Sequence, residues 1–551
     1  MNLKNKFFET VHAGLERKTL DHCSRWAEKC RIMGGGAYPG PWTFNHHPWL
    51  LKMHDSDHPM VVGQKAAQMG YTEAALNRTF FKIDIRSQTA MYILPAKTPD
   101  ASDFSASRFD PALELSPYLQ RLFSDVKNVG HKRAGSCSLL IRGSRSRSGL
   151  KSQPAGFLVF DELDEMNQEN IPLAFERQSG QLEQQSFLIS TPTIDTYGIN
   201  DYFQRSNQQE FYFPCPHCSR QTKLIFPDCI EIPTDDPRDP ALSKAYYKCK
   251  ECNQKLDQET KPEWLADGVW VPAVQGEYDG YHINQMYSST IKPSKLAESY
   301  LMSLVNAAYE QEFFNSKLGL PHIVKGARVL DTDINQCIGG YKNGSLAAGN
   351  KIVTMGIDVG RWLHYVIAEY TIPAIITPDI NMNAHKKILE INKVLNFEDL
   401  SQVIHRHRPR AIVIDANPER RKAFELAQKF WGHIWLCFYG NSINGKQITK
   451  TKGQDGQELE QTVTVDRTSW LDLSLTRHAN KTIELPLDTP EEFKSHIKAL
   501  VRKPEIDKQG NPTSRYISNA DDHYGHALNY SEIALPLAMS MGINQNIRSP
   551  R

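Results

Sequence analysis

Short apolar runs separated by amphipathic stretches, recurring from His46 to about Ser206, constrain this chain more than any other feature. Met60 to Val62, Thr89 to Leu94, Phe157 to Phe160 and Phe187 to Ile189 are strand-sized and show no polar alternation, as expected of strands covered on both faces. They predict an α/β domain on a mainly parallel sheet. At 551 residues the chain exceeds what one core accommodates, so two or three domains are expected. No run is long and uncharged enough to cross a bilayer, and MNLKNKFFETVHAGLERK interleaves charges where a signal peptide needs continuous apolar residues. A cytoplasmic chain without a membrane partner is the expectation. The net charge of +1 gives no global attraction to nucleic acid, so contact with DNA has to come from local basic patches.

The pattern restarts in the second half. IGGYKNGSLAAGN, Ile338 to Asn350, has a linker's composition. After it, KIVTMGID, WLHYVIAEYTI and KKILEIN predict three strands, FEDLSQVIHRHR a helix, and AIVID a fourth strand. That is the opening order of a ribonuclease-H-like domain. The division expected is an N-terminal segment (1–45), a first α/β core (46–210), a cysteine-bearing insertion (211–258), the remainder of the first domain (259–337) with a mainly helical stretch from Pro293 to about Leu318, the linker (338–350), a second α/β domain (351–535) and a tail (536–551). Asn444 to Glu460 predicts a solvated loop or hairpin tip.

In the first core, PMVVG is followed by QKAAQMGYTE, which sets Lys65, Gly70, Tyr71 and Thr72 on a turn leading into a helix. Backbone amides of such a turn cradle phosphates, a lysine neutralises them, and a threonine hydroxyl ligates Mg²⁺. The usual order ends Gly-Lys-Ser/Thr; here Tyr71 stands in the lysine's place and Lys65 opens the turn, so an ordinary strand-to-helix turn is the competing reading. GFLVFDELDEM ends a buried strand on Asp161 and Glu162, where the first acid can hold Mg²⁺ and the second orient the attacking water. Acids capping the next helix are equally compatible with that segment alone. A further strand ends in Ser190, Thr191, Pro192 and Thr193, whose hydroxyls would lie beside Asp161 and could sense a γ-phosphate. Taken in order, the three segments favour ATP hydrolysis. Lys132, Arg133, Arg142, Arg145 and Arg147 form a basic stretch that either touches DNA or a neighbour's nucleotide, or is simply solvated.

Cys215-x-x-Cys218 and Cys249-x-x-Cys252 match tetrahedral thiolate ligation of Zn²⁺. With no open position implied, the site would be structural. His217 reads as a bystander and Cys229 as a weaker substitute ligand.

Asp358 and Asp415 end the first and fourth strands of the second domain, which are neighbours in the ribonuclease-H arrangement, and Asp522 opens a helix in DDHYGHALNY. Three carboxylates so gathered can bind two divalent ions, Mg²⁺ or Mn²⁺, and cut a phosphodiester. Each acid alone would read as a strand end or helix cap. His523 and His526 could add to the site or lie in the core or on the surface. Arg406, Arg408, Arg410, Arg420 and Arg421 offer a local basic patch.

Across Trp42 to Ala534 the chain resembles the lambda-type large terminase subunit of tailed bacteriophages. The resemblance is carried by KAAQMGYTE, FSASRFDPAL, SGLKSQP, FLVFDELDEM, STPT, YFPCPHC, YKCKEC with DGVWV, and FFNSKLGLP. It implies a P-loop ATPase of the additional-strand (ASCE) type with a zinc-ribbon-like insertion, followed by the nuclease. The family's phosphate loop keeps its working lysine near the start, which assigns phosphate contact to Lys65, Mg²⁺ to Thr72 and Asp161, water activation to Glu162, and coupling of hydrolysis to movement to Ser190 to Thr193. Asp358, Asp415 and Asp522 fall where the family's nuclease acids fall; His526 stands where many relatives carry a further Asp. The resemblance also implies double-stranded concatemeric viral DNA, a small terminase subunit, the procapsid portal and a homo-oligomeric ring as partners, in the host cytoplasm. A helicase-like translocase with an appended nuclease would need a second motor domain where the knuckles and helices stand. A ribonuclease-H-fold transposase or integrase would leave Lys65 and Asp161-Glu162 without a role, and a zinc-bearing DNA scaffold would leave all the acids without one.

Overall fold

A computed structural model describes residues 20–541 apart from 125, 152, 350, 373–380, 382–383, 441–448, 451–460 and 507–511. The chain forms two compact α/β units that divide between His322 and Ile323.

The first unit is built on an eleven-stranded mixed sheet. Its centre runs Asp279–Ile283, Met60–Lys65, Gln185–Ser190, Phe157–Asp161, Ala90–Leu94 and Cys137–Gly143, every neighbouring pair parallel. The four apolar runs singled out in the sequence supply strands of this centre and, apart from Met60 and Thr89, are buried. Antiparallel pairs close the edges. One is the hairpin Val126–Asn128 with His131–Ala134, and the other side carries Gln209–Pro214 with Gln221–Thr222 and Val269–Val271. The helix Tyr71–Asp84 is buried on almost all sides, from Tyr71 and Ala74 through Phe80 to Asp84, as expected of a helix packed between layers. The expected helical stretch after Pro293 is present as Pro293–Ser303, Ala307–Glu312 and Phe313–Leu318.

In the second unit the expected succession appears as Ile352–Val359, Leu363–Thr371, His385–Val394, the helix Phe397–His407, and Ala411–Asp415. Numbered along the chain, the main strands lie in the order 3-2-1-4-5, with Ile434–Tyr439 fifth. Strands one to three are antiparallel, and strands one, four and five parallel. The helix His523–Ser540 packs across strands one, four and two. It comes close because Gly356, at the centre of strand one, has no side chain: a Cβ there would lie 2.0 Å from the Ala527 carbonyl oxygen.

Two expectations change. The Gly- and Ser-rich segment after Ile338 is fastened into the second unit: Gly339 N donates to Leu485 O at 2.7 Å, the Tyr341 hydroxyl donates to Ile388 O and Glu484 O, and Asn343 pairs with both backbone groups of Ile391. Its polar composition reflects backbone partners on the sheet edge, and the division between units falls earlier. The last helix also runs on to Ser540, beyond the expected domain end at 535. The loop expected over Asn444 to Glu460 lies outside the described residues, except for the short strand Thr449–Lys450. Among the described residues no helix is long and apolar enough to cross a membrane.

Candidate active sites and a cysteine cluster

Lys65 is the last residue of its strand and Thr72 the second of the next helix. The turn between them reverses through Gln68 and Gly70 at φ 62° and 83°, values that glycine adopts without strain. The Ser190 strand lies between those of Lys65 and Asp161, with Gln64 opposite Ser190 and Asp161 opposite Ile189. Three parallel strands therefore end at one edge, the place where open α/β sheets bind ligands. There Lys65 Nζ donates to Glu162 Oε1 at 2.8 Å and Thr72 Oγ1 to Asp161 Oδ1 at 3.4 Å. The Tyr92 hydroxyl donates to Asp161 Oδ2 at 2.6 Å. Burial, with the Glu162 charge beside it, pushes Asp161 up to about 6 against the pull of Lys65. Burial disfavours the Lys65 charge, yet Glu162 and Asp161 hold its pKa above the ordinary lysine value.

Glu162 sits at φ 62°, a left-handed backbone that costs a non-glycine residue about 1–3 kcal/mol and persists where surrounding bonds enforce it. Its N–H donates to Ile189 O at 3.0 Å. Its other carboxylate oxygen faces Ser190 Oγ at 3.5 Å and Thr191 N at 3.4 Å, and Thr193 N donates to Asp164 Oδ2 at 2.7 Å. The Thr193 carbonyl accepts from Gln311, Asn315 and His322. The acidic strand end is thus linked through Ser190 to Thr193 to the helical segment.

A cavity of about 560 Å³ adjoins these groups, lined by Lys65, Gly70, Tyr71, Thr72 and Glu162. The Tyr71 ring is buried against Gly63, so it supports the turn from below. The opposite wall comes from Gly35, Tyr38, Trp42 and His46, with Arg108. The Tyr38 and His46 rings are stacked with centroids 3.6 Å apart. Sequence reading sets most of this wall aside as an N-terminal segment, and it misses Tyr92, Asp164 and Arg108. A tyrosine in the neighbouring strand pairs with Asp161 only through sheet register.

The four cysteines of the two knuckles converge, their Sγ atoms all within 4.8 Å of one another. The knuckles share one geometry. Ser219 N and Asn253 N donate to the carbonyls of Cys215 and Cys249, Ser219 and Asn253 both have φ 58°, and His217 N and Glu251 N point at the sulfurs of Cys215 and Cys249. Backbone bonding around Arg220 brings the Cys218 thiol down to about 6. The His217 ring lies against Lys255 O, and Cys229 donates to Lys223 O; neither joins the cluster.

In the second unit Ile357 pairs with Ile414, which sets Asp358 and Asp415 side by side one residue further on. Burial, together with the adjacent Asp358 charge, pushes Asp415 up to about 6. Asp522 precedes the terminal helix, His526 Nε2 lies 3.4 Å from its Oδ2, and His523 Nδ1 lies 2.8 Å from Asp358 Oδ2. His526 is also held by the Tyr439 hydroxyl at 3.0 Å and Arg467 at 3.4 Å. His364, which sequence reading misses, is Asp358's partner across the hairpin; counting back through the tight Gly360 turn would find it. Of the basic patch, Arg406 pairs with Glu390 and Arg410 donates to Met541 O, whereas Arg421 stays exposed. In the first unit Lys132 is buried on Asp110 and Arg142 caps Gly130 O, leaving Arg145 and Arg147 exposed.

A strand-to-helix turn beside paired acids in one α/β unit, and neighbouring strand-end acids in another, define a two-unit enzyme of phosphoryl and phosphodiester chemistry. Residues 36–270 match the family described as "Phage terminase large subunit gpA, ATPase domain", and residues 278–545 match "Terminase large subunit gpA, endonuclease domain". The chain belongs to the gpA family of phage terminase large subunits, and its two domains are the ATPase and the endonuclease that serve DNA packaging and cleavage. Curated proteins compared with it gave no match. Among solved structures it is similar to the HK97 bacteriophage large terminase (10% identity, 93% of this chain and 98% of that chain covered, TM-score 0.49). It is also similar to a large terminase from a thermophilic bacteriophage (10%, 89% and 98%, TM-score 0.30) and to the large terminase nuclease of the thermophilic phage G20c (10%, 36% and 95%, TM-score 0.22).

Proposed function

We propose that the ATPase domain drives double-stranded viral DNA into a procapsid and that the endonuclease domain cuts the concatemer. In this reading a small terminase subunit and the portal are its partners, and a ring of copies in the host cytoplasm is the working form. The observation that carries the reading is that Lys65, Thr72 and Glu162 line one cavity of a size that suits a nucleotide, with Asp161 buried behind Thr72. Lys65 neutralises the terminal phosphates; in exchange Glu162 is released from its lysine and takes a proton from the attacking water. Thr72 and Asp161 are suited to hold Mg²⁺, which when bound supplies positive charge to the β- and γ-phosphates. The bonds of Ser190 and Thr191 to Glu162, and of Thr193 to Asp164 and the helical segment, give a route by which a change at Glu162 moves helices. Glu162→Gln should lower ATP turnover by about 10²-fold or more. Unchanged turnover would overturn the assignment.

Asp358, Asp415 and Asp522 fit a divalent-ion site because a buried and a half-buried acid lie side by side and a third carboxylate precedes the helix across them. Bound Mg²⁺ or Mn²⁺ supplies charge that activates water and stabilises the leaving oxygen. The four thiols fit Zn²⁺ because paired knuckles with amides aimed at sulfur are built to stabilise thiolates. Metal analysis should give about one Zn²⁺ per chain, lost in Cys215→Ser.

A further inference from the structure

The three acids are all oxygen donors, yet the donors that lie together around Asp358 include nitrogen. A carboxylate oxygen of Asp358 and one ring nitrogen each of His364 and His523 lie within 4.8 Å of one another. The two imidazoles are stacked nearly parallel, 7° apart with centroids 4.7 Å apart, and His523 Nδ1 lies 2.8 Å from Asp358 Oδ2. Two elements hold them there. His364 is fixed by strand pairing opposite Asp358, and His523 by the terminal helix that Gly356 lets approach. A second observation points to a ligand. His364 is 4% exposed, and its Nδ1 is buried with no hydrogen-bond partner, which ordinarily costs about 1–3 kcal/mol. Its Nε2 is 3.9 Å from Glu492 Oε1, and Glu492 is itself engaged by Lys393 at 2.6 Å.

We propose that Asp358, His364 and His523 form a mixed nitrogen and oxygen cation site that favours Mn²⁺ over Mg²⁺, with Asp358 shared between it and the carboxylate pocket of Asp415. First-row transition ions accept imidazole nitrogen, Mn²⁺ the most weakly of them, whereas Mg²⁺ demands oxygen and gives up water reluctantly. The proposal rests on the reading of Asp358 as a nuclease acid and adds to it which ion the site selects.

The test is Mn²⁺ binding to the full-length, nucleotide-free protein, followed by electron paramagnetic resonance. Wild type should bind Mn²⁺ with nitrogen modulation from coordinated imidazole. His364→Gln and His523→Gln should each weaken binding about tenfold or more and reduce that modulation, and the ratio of Mn²⁺- to Mg²⁺-supported cutting should fall with it. Mn²⁺ affinity and modulation unchanged in both variants would overturn the proposal. If His364→Gln does not fold, His523→Gln, whose side chain is 38% exposed, decides alone. Loss of cutting in Asp358→Ala with Mn²⁺ binding unaltered in the histidine variants sinks only this inference. Cutting that persists in Asp358→Ala sinks the nuclease assignment beneath it, whatever the histidine variants do.

Discussion

Glu532 lies wholly buried in the terminal helix, where it meets Arg477 at 2.7 Å and Lys386 at 3.0 Å, with Asn381 donating to it as well. Breaking such a network strands a buried charge, so Arg477→Ala should destabilise the second unit by about 3–5 kcal/mol, read as a lower denaturation midpoint. The same residues set an acid limit. Burial alone would raise Glu532, but Arg477 and Lys386 hold it at about 2; in Glu390 burial is likewise outweighed, by hydrogen bonds from His407 and Tyr365 and the Arg406 charge, again to about 2. Both folded values lie below the unfolded glutamate's, about 4.3. Their contribution is therefore complete above about pH 5 and lost as pH falls toward 2. An acid titration of unfolding should show the second unit weakening across that window; stability independent of pH there would contradict the pairing. Nothing in the sequence around Glu532 marks it, because its partners lie 55 and 146 positions away. Asp161, Asp358 and Asp415 were legible because each ends an apolar run.

At the level of elements, the strands and some of their neighbours were legible, and the register between them was not. Apolar runs announce a buried strand wherever they stand, but whether Tyr92 meets Asp161, or His364 meets Asp358, depends on register. The segment after Ile338 misled for the opposite reason: Gly, Ser and Asn suit a mobile linker and equally suit a backbone that bonds to a sheet edge. Gly356 shows how one residue positions an element. Gly356→Ala should cost about 1–3 kcal/mol and push the terminal helix, with Asp522 and His523, off the strand of Asp358. Cutting should fall more than stability does, and a crystal structure of the variant should show the helix displaced. A helix still seated at wild-type distance would contradict that role. The cysteine knuckles were the most legible element of all, since two Cys-x-x-Cys pairs specify their own turns. Chelation should lower the melting temperature of the first unit and leave that of the second unchanged.

Over the whole molecule, the chain carries two compact units with separate chemistry, matched in order by the ATPase and endonuclease descriptions of one family. Each site is assembled within its own unit. The ATPase cavity draws its walls from residues 33–73, Arg108, Glu162 and Thr290, and the acids of the second unit come from strands one and four and the position just before the helix that crosses them. A lesion in one site should leave the chemistry of the other standing. The most direct measurement is to assay ATP turnover and divalent-dependent DNA cleavage side by side in full-length Asp358→Ala. Wild-type ATP turnover with cleavage lost is the expected result; cleavage at the wild-type rate would contradict the account.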